Sequence, residues 1–135
     1  MNVIYNLKPH HIVELCKLYK REWWTNTRTL EETQQCVTGS QICIGLVNED
    51  DSLEGFARVL TDFTFKALIF DVIVSENSRK CGLGDKLINL IKDHPQLSTV
   101  KSFELYCLPE LQLFYKEHGF TTDVGDINLM RCTNV

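Results

Sequence analysis

The sequence predicts a single α/β domain spanning residues 1–135, with element order β-α-α-β-β-β-α-β-α-β-β. Three observations carry that prediction. The chain has 135 residues, 44% hydrophobic and 24% charged, the size and composition of one globular domain with a core of its own. Its apolar residues switch repeatedly between period-two and period-3.6 spacing, with no linker, repeat or low-complexity tract between them. One run, Ala67-Leu68-Ile69-Phe70-Asp71-Val72-Ile73-Val74, is nearly continuous in apolar character, as expected of a strand covered on both faces.

Val3–Leu7 alternates as a short strand. Pro9 supplies a rigid first helical residue, after which Ile12, Leu15, Cys16, Leu18 and Tyr19 recur at helical spacing as far as Lys20. Thr29-Leu30-Glu31-Glu32 has the capping-box pattern that opens a second helix, closed at Gly39-Ser40. Ile42–Val47 and Leu53–Thr61 form a hairpin about the polar turn Asn48–Ser52, and the apolar run 67–74 follows as the central strand. Beyond the turn Ser75–Lys80, Leu87, Ile88, Leu90 and Ile91 give a helix with one apolar face that must end before Pro95. Ser102–Cys107 is then a strand and Pro109–His118 a helix. Gly119 and the stretch Asp126–Cys132 supply the closing strands.

Charge narrows the partners. Fourteen basic residues against eighteen acidic ones leave a net charge of −4, which argues against a nucleic-acid partner. No run approaches the roughly 18 apolar residues of a membrane span, and Met1–Lys8 lacks the basic-then-apolar order of a leader, so no membrane partner and a cytoplasmic location are expected. The six cysteines are scattered, with no metal-ligand spacing, and are read as thiols, mostly small core residues; no metal is expected. His10 and His11 are read as solvated or capping residues.

The segment Val72–Asp85 carries the chemistry: a buried strand, then a basic turn with two glycines, then a helix. The first N–H groups of a helix have no intrahelical acceptor and sit at its positive dipole end, so they form an anion cradle. Gly82 and Gly84 let backbone come close, while Arg79 and Lys80 add charge at the mouth. A glycine-bearing strand-to-helix connector without a ligand is the alternative. The segment has no GK[ST] ending of a P-loop, and its turn is too long for a dinucleotide fingerprint.

Arg79-Lys80-Cys81-Gly82-Leu83-Gly84 resembles the [RQ]xxGx[GA] motif of the GNAT N-acetyltransferase superfamily, and Leu113-Phe114-Tyr115-Lys116-Glu117-His118-Gly119-Phe120 resembles its FYxxxGF segment. The resemblance implies a mixed, mostly antiparallel sheet of about six to seven strands with about four flanking helices. It implies acetyl-coenzyme A as co-substrate and direct acetyl transfer to a primary amine of a small molecule or peptide, with no metal and no covalent enzyme intermediate. Pyrophosphate would lie on Arg79, Lys80, Cys81, Gly82, Leu83, Gly84 and Asp85. Pantetheine would pair with Val72, Ile73 and Val74 where the strands at 67–74 and 102–107 splay.

Tyr115 matches the family's general acid, and an ordinary phenol stays protonated at neutral pH while able to donate to a thiolate. Asp71, the one carboxylate within the apolar strand, needs compensation. It either binds a cationic amine or relays its proton, or is a structural group paired with Arg58. Glu104 on the facing strand is a further base or substrate contact, and Trp23 and Trp24 are candidates for an aromatic acceptor wall. Leu108 stands where the family commonly has an Asn that contacts the coenzyme, and Leu111 where a small residue is usual. These departures keep open a second reading, a catalytically weak coenzyme A-binding regulatory or interaction domain. Both monomer and homodimer are compatible with the sequence.

Overall fold

The computed structural model describes residues 1–134, so of the expected domain only Val135 lies outside the described residues. One five-stranded sheet runs in chain order: β1 (Asn2–Ile4), β2 (Ile42–Val47), β3 (Leu53–Thr61), β4 (Lys66–Val74) and β5 (Ser102–Leu105). The first four strands pair antiparallel with their neighbours, and β5 pairs parallel with β4. Among the described residues four α-helices flank it: α1 (Pro9–Lys20), α2 (Leu30–Gly39), α3 (Leu83–Lys92) and α4 (Gln112–Lys116). A parallel pair needs a crossover connection, and α3 provides it between β4 and β5. No described helix is long and apolar enough to cross a membrane.

The helices cover the two faces of the sheet. Leu83, Leu87 and Ile91 of α3 bury against Ile42, Ile44, Leu46, Ala57, Val59, Ala67 and Ile69. Leu15, Leu18 and Tyr19 of α1 bury against Cys43, Leu53, Phe56 and Ile73. Each such aliphatic side chain contributes about 1.5–3 kcal/mol relative to exposure. α2 starts with the capping box read from the sequence: Thr29 Oγ1 accepts from Glu32 N–H at 3.0 Å, and Glu32 Oε1 accepts from Thr29 N–H at 2.9 Å.

β4 carries the feature that matters most for the site. Arg58 sits opposite Phe70 and Phe56 opposite Ile73, so β4 spends one more residue than β3 over this stretch. Asp71 takes the extra position with φ of 56°, a left-handed conformation that Asp tolerates better than most side chains. The bulge reverses the alternation of faces. Ala67 and Ile69 point to the α3 layer before it, whereas Val72 and Val74 do so after it and Ile73 joins the α1 layer.

Several boundaries differ from the sequence reading. β1 ends at Ile4 and β5 at Leu105. The helix read over 109–118 is a single 3-10 turn at Pro109–Leu111 followed by α4, which Gly119 ends at φ of 90°. The sheet has five strands rather than six to seven, because Asp126–Cys132 forms no strand among the described residues. A turn precedes that segment, with Val124 N–H donating to Thr122 O, Asp123 N–H to Thr121 Oγ1, and Gly125 at φ of 71°. Beyond it the segment has no ladder partner and stays exposed.

Candidate active site

The site is built at the end of β4. Ser75 to Ser78 leave the strand through a 3-10 turn held by one carboxylate: Ser75 Oγ and Ser78 Oγ both donate to Glu54 Oε2, the latter at 2.9 Å, and Asn48 Nδ2 donates to Glu54 Oε1 at 3.0 Å. Lys80 and Gly82 then adopt left-handed φ values of 68° and 75°. Gly82 is the N-cap of α3 and offers no side-chain acceptor, so the first amides of a ten-residue helix remain free to bind an anion. A Cβ at Gly82 would meet nothing within 4 Å, so glycine is required there for its φ. At Gly84 the reason is space, since a Cβ would lie 3.3 Å from Phe114 Cζ.

That contact brings α4 against the first turn of α3. His118 Nε2 lies 2.7 Å from Asp85 Oδ1, which draws the Asp85 carboxylate toward α4. Tyr115 sits one residue from Phe114 with its ring buried, its nearest aromatic neighbours being Phe114 and Phe120. Burial, with a smaller contribution from Cys107, pushes its phenol up to about 12. Among the described residues the hydroxyl has no hydrogen-bond partner, and no fully buried polar side-chain atom is left unpaired, so it reaches solvent.

The parallel ladder runs from Lys66 opposite Ser102 to Ile69 opposite Leu105 and stops there. β4 continues for five more residues with no strand partner on that flank among the described residues, so Val72, Ile73 and Val74 present free backbone groups along a gap. The edge-to-face rings of Phe70 and Tyr106, 5.8 Å apart, mark where the strands part.

Asp71 is buried at the bulge and fully engaged. Its Oδ2 accepts from Arg28 Nη1 at 2.6 Å, Arg58 Nε at 2.7 Å and the Tyr19 hydroxyl at 2.9 Å, and its Oδ1 accepts from Arg28 Nη2 at 3.1 Å. Burial alone would raise this carboxyl, but the hydrogen bonds and charges of the two arginines outweigh it and hold the group below the ordinary carboxylate range. Burial and the adjacent carboxylate push the Tyr19 phenol up. The pairing with Arg58 anticipated in the sequence is therefore present; Arg28 and Tyr19 are additions that no local pattern announced.

Trp23 and Trp24 are exposed in the loop after α1, which Thr25 pins by donating to Tyr19 O at 2.7 Å. Arg79 Nη2 donates to Glu22 Oε1 at 2.6 Å, tying this loop to the cradle. Glu104 lies within the paired stretch rather than in the gap. It is exposed, bonded to Lys66 and Ser102, and the Lys66 hydrogen bond holds its carboxyl low. Lys80 and Cys81 are exposed beside the cradle.

His10, His11 and Asp51 cluster away from this site. Lys8 N–H donates to His11 Nδ1 at 3.0 Å, so a neutral His11 carries its proton on Nε2 and donates it to Asp51 Oδ1 at 3.0 Å. That leaves no lone pair on the ring for a metal, and His11 works as the cap of α1.

The chain that builds this cradle, this bulged strand and this buried tyrosine is similar to known proteins in sequence and in fold. The family model described as Acetyltransferase (GNAT) family matches residues 10–120. The uncharacterized N-acetyltransferase ycf52 of Porphyra purpurea is 29% identical over 128 residues, covering 93% of this chain and 73% of that one. A protein assigned to the same family from Xanthomonas campestris pv. campestris superposes with a TM-score of 0.83 at 25% identity, over 98% of this chain and 92% of that one. An aminoglycoside 6'-N-acetyltransferase complexed with coenzyme A shares the fold at 20% identity and a TM-score of 0.60, over 68% of this chain and 53% of that one. The match of sequence over most of the chain, on a fold whose cradle and gap it includes, shows that the chain belongs to the GNAT acetyltransferase family.

Proposed function

We propose that the chain transfers an acetyl group from acetyl-coenzyme A to a primary amine of a small molecule or peptide, by direct attack in a ternary complex. The observation that carries the reading is the free helix end at Gly82–Asp85 standing beside the unpaired edge Val72–Val74, with the Tyr115 hydroxyl unpartnered on the adjoining helix. The co-substrate supplies an activated acyl carbon as a thioester. The residues present fit it: α3 amides and Arg79 for the pyrophosphate, β4 amides and carbonyls for the amide-bearing arm. An N–H of Ile73 or Val74 would polarise the carbonyl.

The reaction forms a C–N bond and breaks the C–S bond. Tyr115 donates its proton to the departing thiolate, and its upward shift keeps that proton in place beforehand. The amine's proton leaves to solvent, because Asp71, the one carboxylate of β4, is occupied by two arginines. We assign Asp71 the role of fixing the bulge that opens the gap, and Trp23, Trp24 and Glu22 that of shaping the acceptor entrance. The cytoplasm is the proposed place of action. Thiol release from acetyl-coenzyme A, measured across a panel of amines, tests the reading: release that depends on an amine is expected. Tight coenzyme binding with no release on any amine would replace it with the non-catalytic binding domain.

A further inference from the structure

The buried carboxylate of Asp71 is one anion set against two cations. Arg28 and Arg58 both close on it, with side chains 26% and 12% exposed, and among the described residues neither forms an ion pair with a second carboxylate. Glu32 is near enough to Arg28 to feel its charge, but it is exposed and caps α2 through Thr29. One positive charge is therefore left over in a largely buried place, where an unpaired charge is costly. Both guanidinium groups also have donors to spare: Arg28 spends two N–H groups on Asp71, and Arg58 spends one on Asp71 and one on Ser40 Oγ at 3.4 Å. Their planes are held in place, with Arg28 Cζ 4.6 Å from the centroid of the Tyr19 ring and Arg58 Cζ 5.1 Å from that of Phe70.

This pair stands on the face of the sheet opposite the cradle. α3 covers one face, whereas Cys43, which buries in the α1 layer, is opposite Arg58, and Arg58 is opposite Phe70. Phe70 in turn meets Tyr106 where β4 and β5 part. Both guanidinium groups reach Asp71 on β4, the strand that lines the gap, so the surplus charge lies beside the gap on the α1 face. We propose that a carboxylate of the acceptor binds the spare donors of Arg28 and Arg58, so that the acetylated amine belongs to an amino acid or another molecule that carries a carboxylate. This rests on the acetyl transfer inferred above: a thioester reaching the gap from the α3 face leaves the α1 face to the amine. One surplus positive charge matches one carboxylate, whereas a phosphate monoester, at about −1.5 to −2, exceeds it. A polyamine meets repulsion at the same place.

Acceptor pairs that differ only in this charge test the proposal. Thiol release is measured with glycine, β-alanine, γ-aminobutyrate and δ-aminovalerate and with the primary amide of each, compared at equal concentrations of the neutral amine. At least one acid is expected to exceed its amide by about tenfold in kcat/KM, through KM. Arg28→Gln is expected to remove that preference and Arg28→Lys to keep part of it, because the charge stays while the fork is lost. Binding is read separately on the native chain, where the same acids are expected to raise Tm more than their amides do. Acids that stabilise the chain with no thiol release from any amine leave the carboxylate site standing and remove the transferase. Thiol release with amides as readily as with acids removes the carboxylate site and leaves the transferase. Acids and amides that are equal in both assays, or a preference that survives Arg28→Gln, overturn the proposal.

Discussion

At the scale of single residues, Tyr115 and Asp71 sit in opposite electrostatic situations. Among the described residues Tyr115 has no charged partner, and burial keeps it neutral, which suits the proton-holding role proposed for it. Tyr115→Phe is expected to lower kcat by about a hundredfold or more while leaving KM for acetyl-coenzyme A nearly unchanged, as steady-state kinetics would show. A variant with native kcat removes the tyrosine from the mechanism. Asp71 is kept charged by Arg28 and Arg58, and replacing it strands two guanidinium groups that are largely buried. Asp71→Asn is expected to cost about 3–5 kcal/mol in urea unfolding at pH 7. Its carboxyl titrates lower in the folded chain than in the unfolded one, so the native advantage is present above about pH 4 and fades as pH falls below it. Melts at pH 7, 5 and 3 should therefore converge for the two proteins at the acid end. Tyr115 was legible because it belongs to a short local pattern. The Asp71 network was only half legible: a lone carboxylate in an apolar strand demands a partner, and Arg58 is on the neighbouring strand, but nothing local says that the loop bearing Arg28 folds over β4.

At the scale of elements, the strand-to-helix connection was readable because its requirements are backbone requirements. Gly82 stands at φ of 75° with open space around it, so Gly82→Ala strains the turn without a clash, at about 1 kcal/mol. The strain falls on the amides proposed to hold the pyrophosphate, and calorimetric titration with coenzyme A is expected to show about tenfold weaker binding. Gly39→Ala serves as the contrast. Gly39 is helical with nothing within 4 Å of a Cβ, so alanine there is expected to add about 0.5 kcal/mol of stability and leave coenzyme affinity alone. The bulge in β4 could not be read, because alternation along 67–74 is masked when both faces are apolar and only the cross-strand register exposes the extra residue. The closing strands failed for a related reason. Alternating apolar residues at 127 and 129 encode a strand, but whether an edge is within reach is a tertiary fact.

At the scale of the whole molecule, the proposed function requires an acidic chain to attract a polyanion. On the proposed function, its net charge of −4 would oppose the approach of coenzyme A at long range, whereas the α3 amides and Arg79 would attract it only at close quarters. Arg79 is itself partly neutralised by Glu22. Binding should therefore rely on the fixed geometry of the helix end more than on diffuse basic charge, and raising salt should weaken it less than it weakens a lysine-lined groove. Thermal unfolding gives a direct measure. A ligand that binds only the folded chain adds about 2.7 kcal/mol at a hundred times its dissociation constant, which for a domain of this size raises Tm by roughly 10 °C. Coenzyme A is expected to give that shift with only a modest loss between low and physiological salt, while ATP and NAD, which lack the pantetheine arm that the Val72–Val74 edge would hold, shift Tm far less. Equal shifts for all three ligands would mean that the cradle binds diphosphate alone and that the gap between β4 and β5 contributes nothing to recognition.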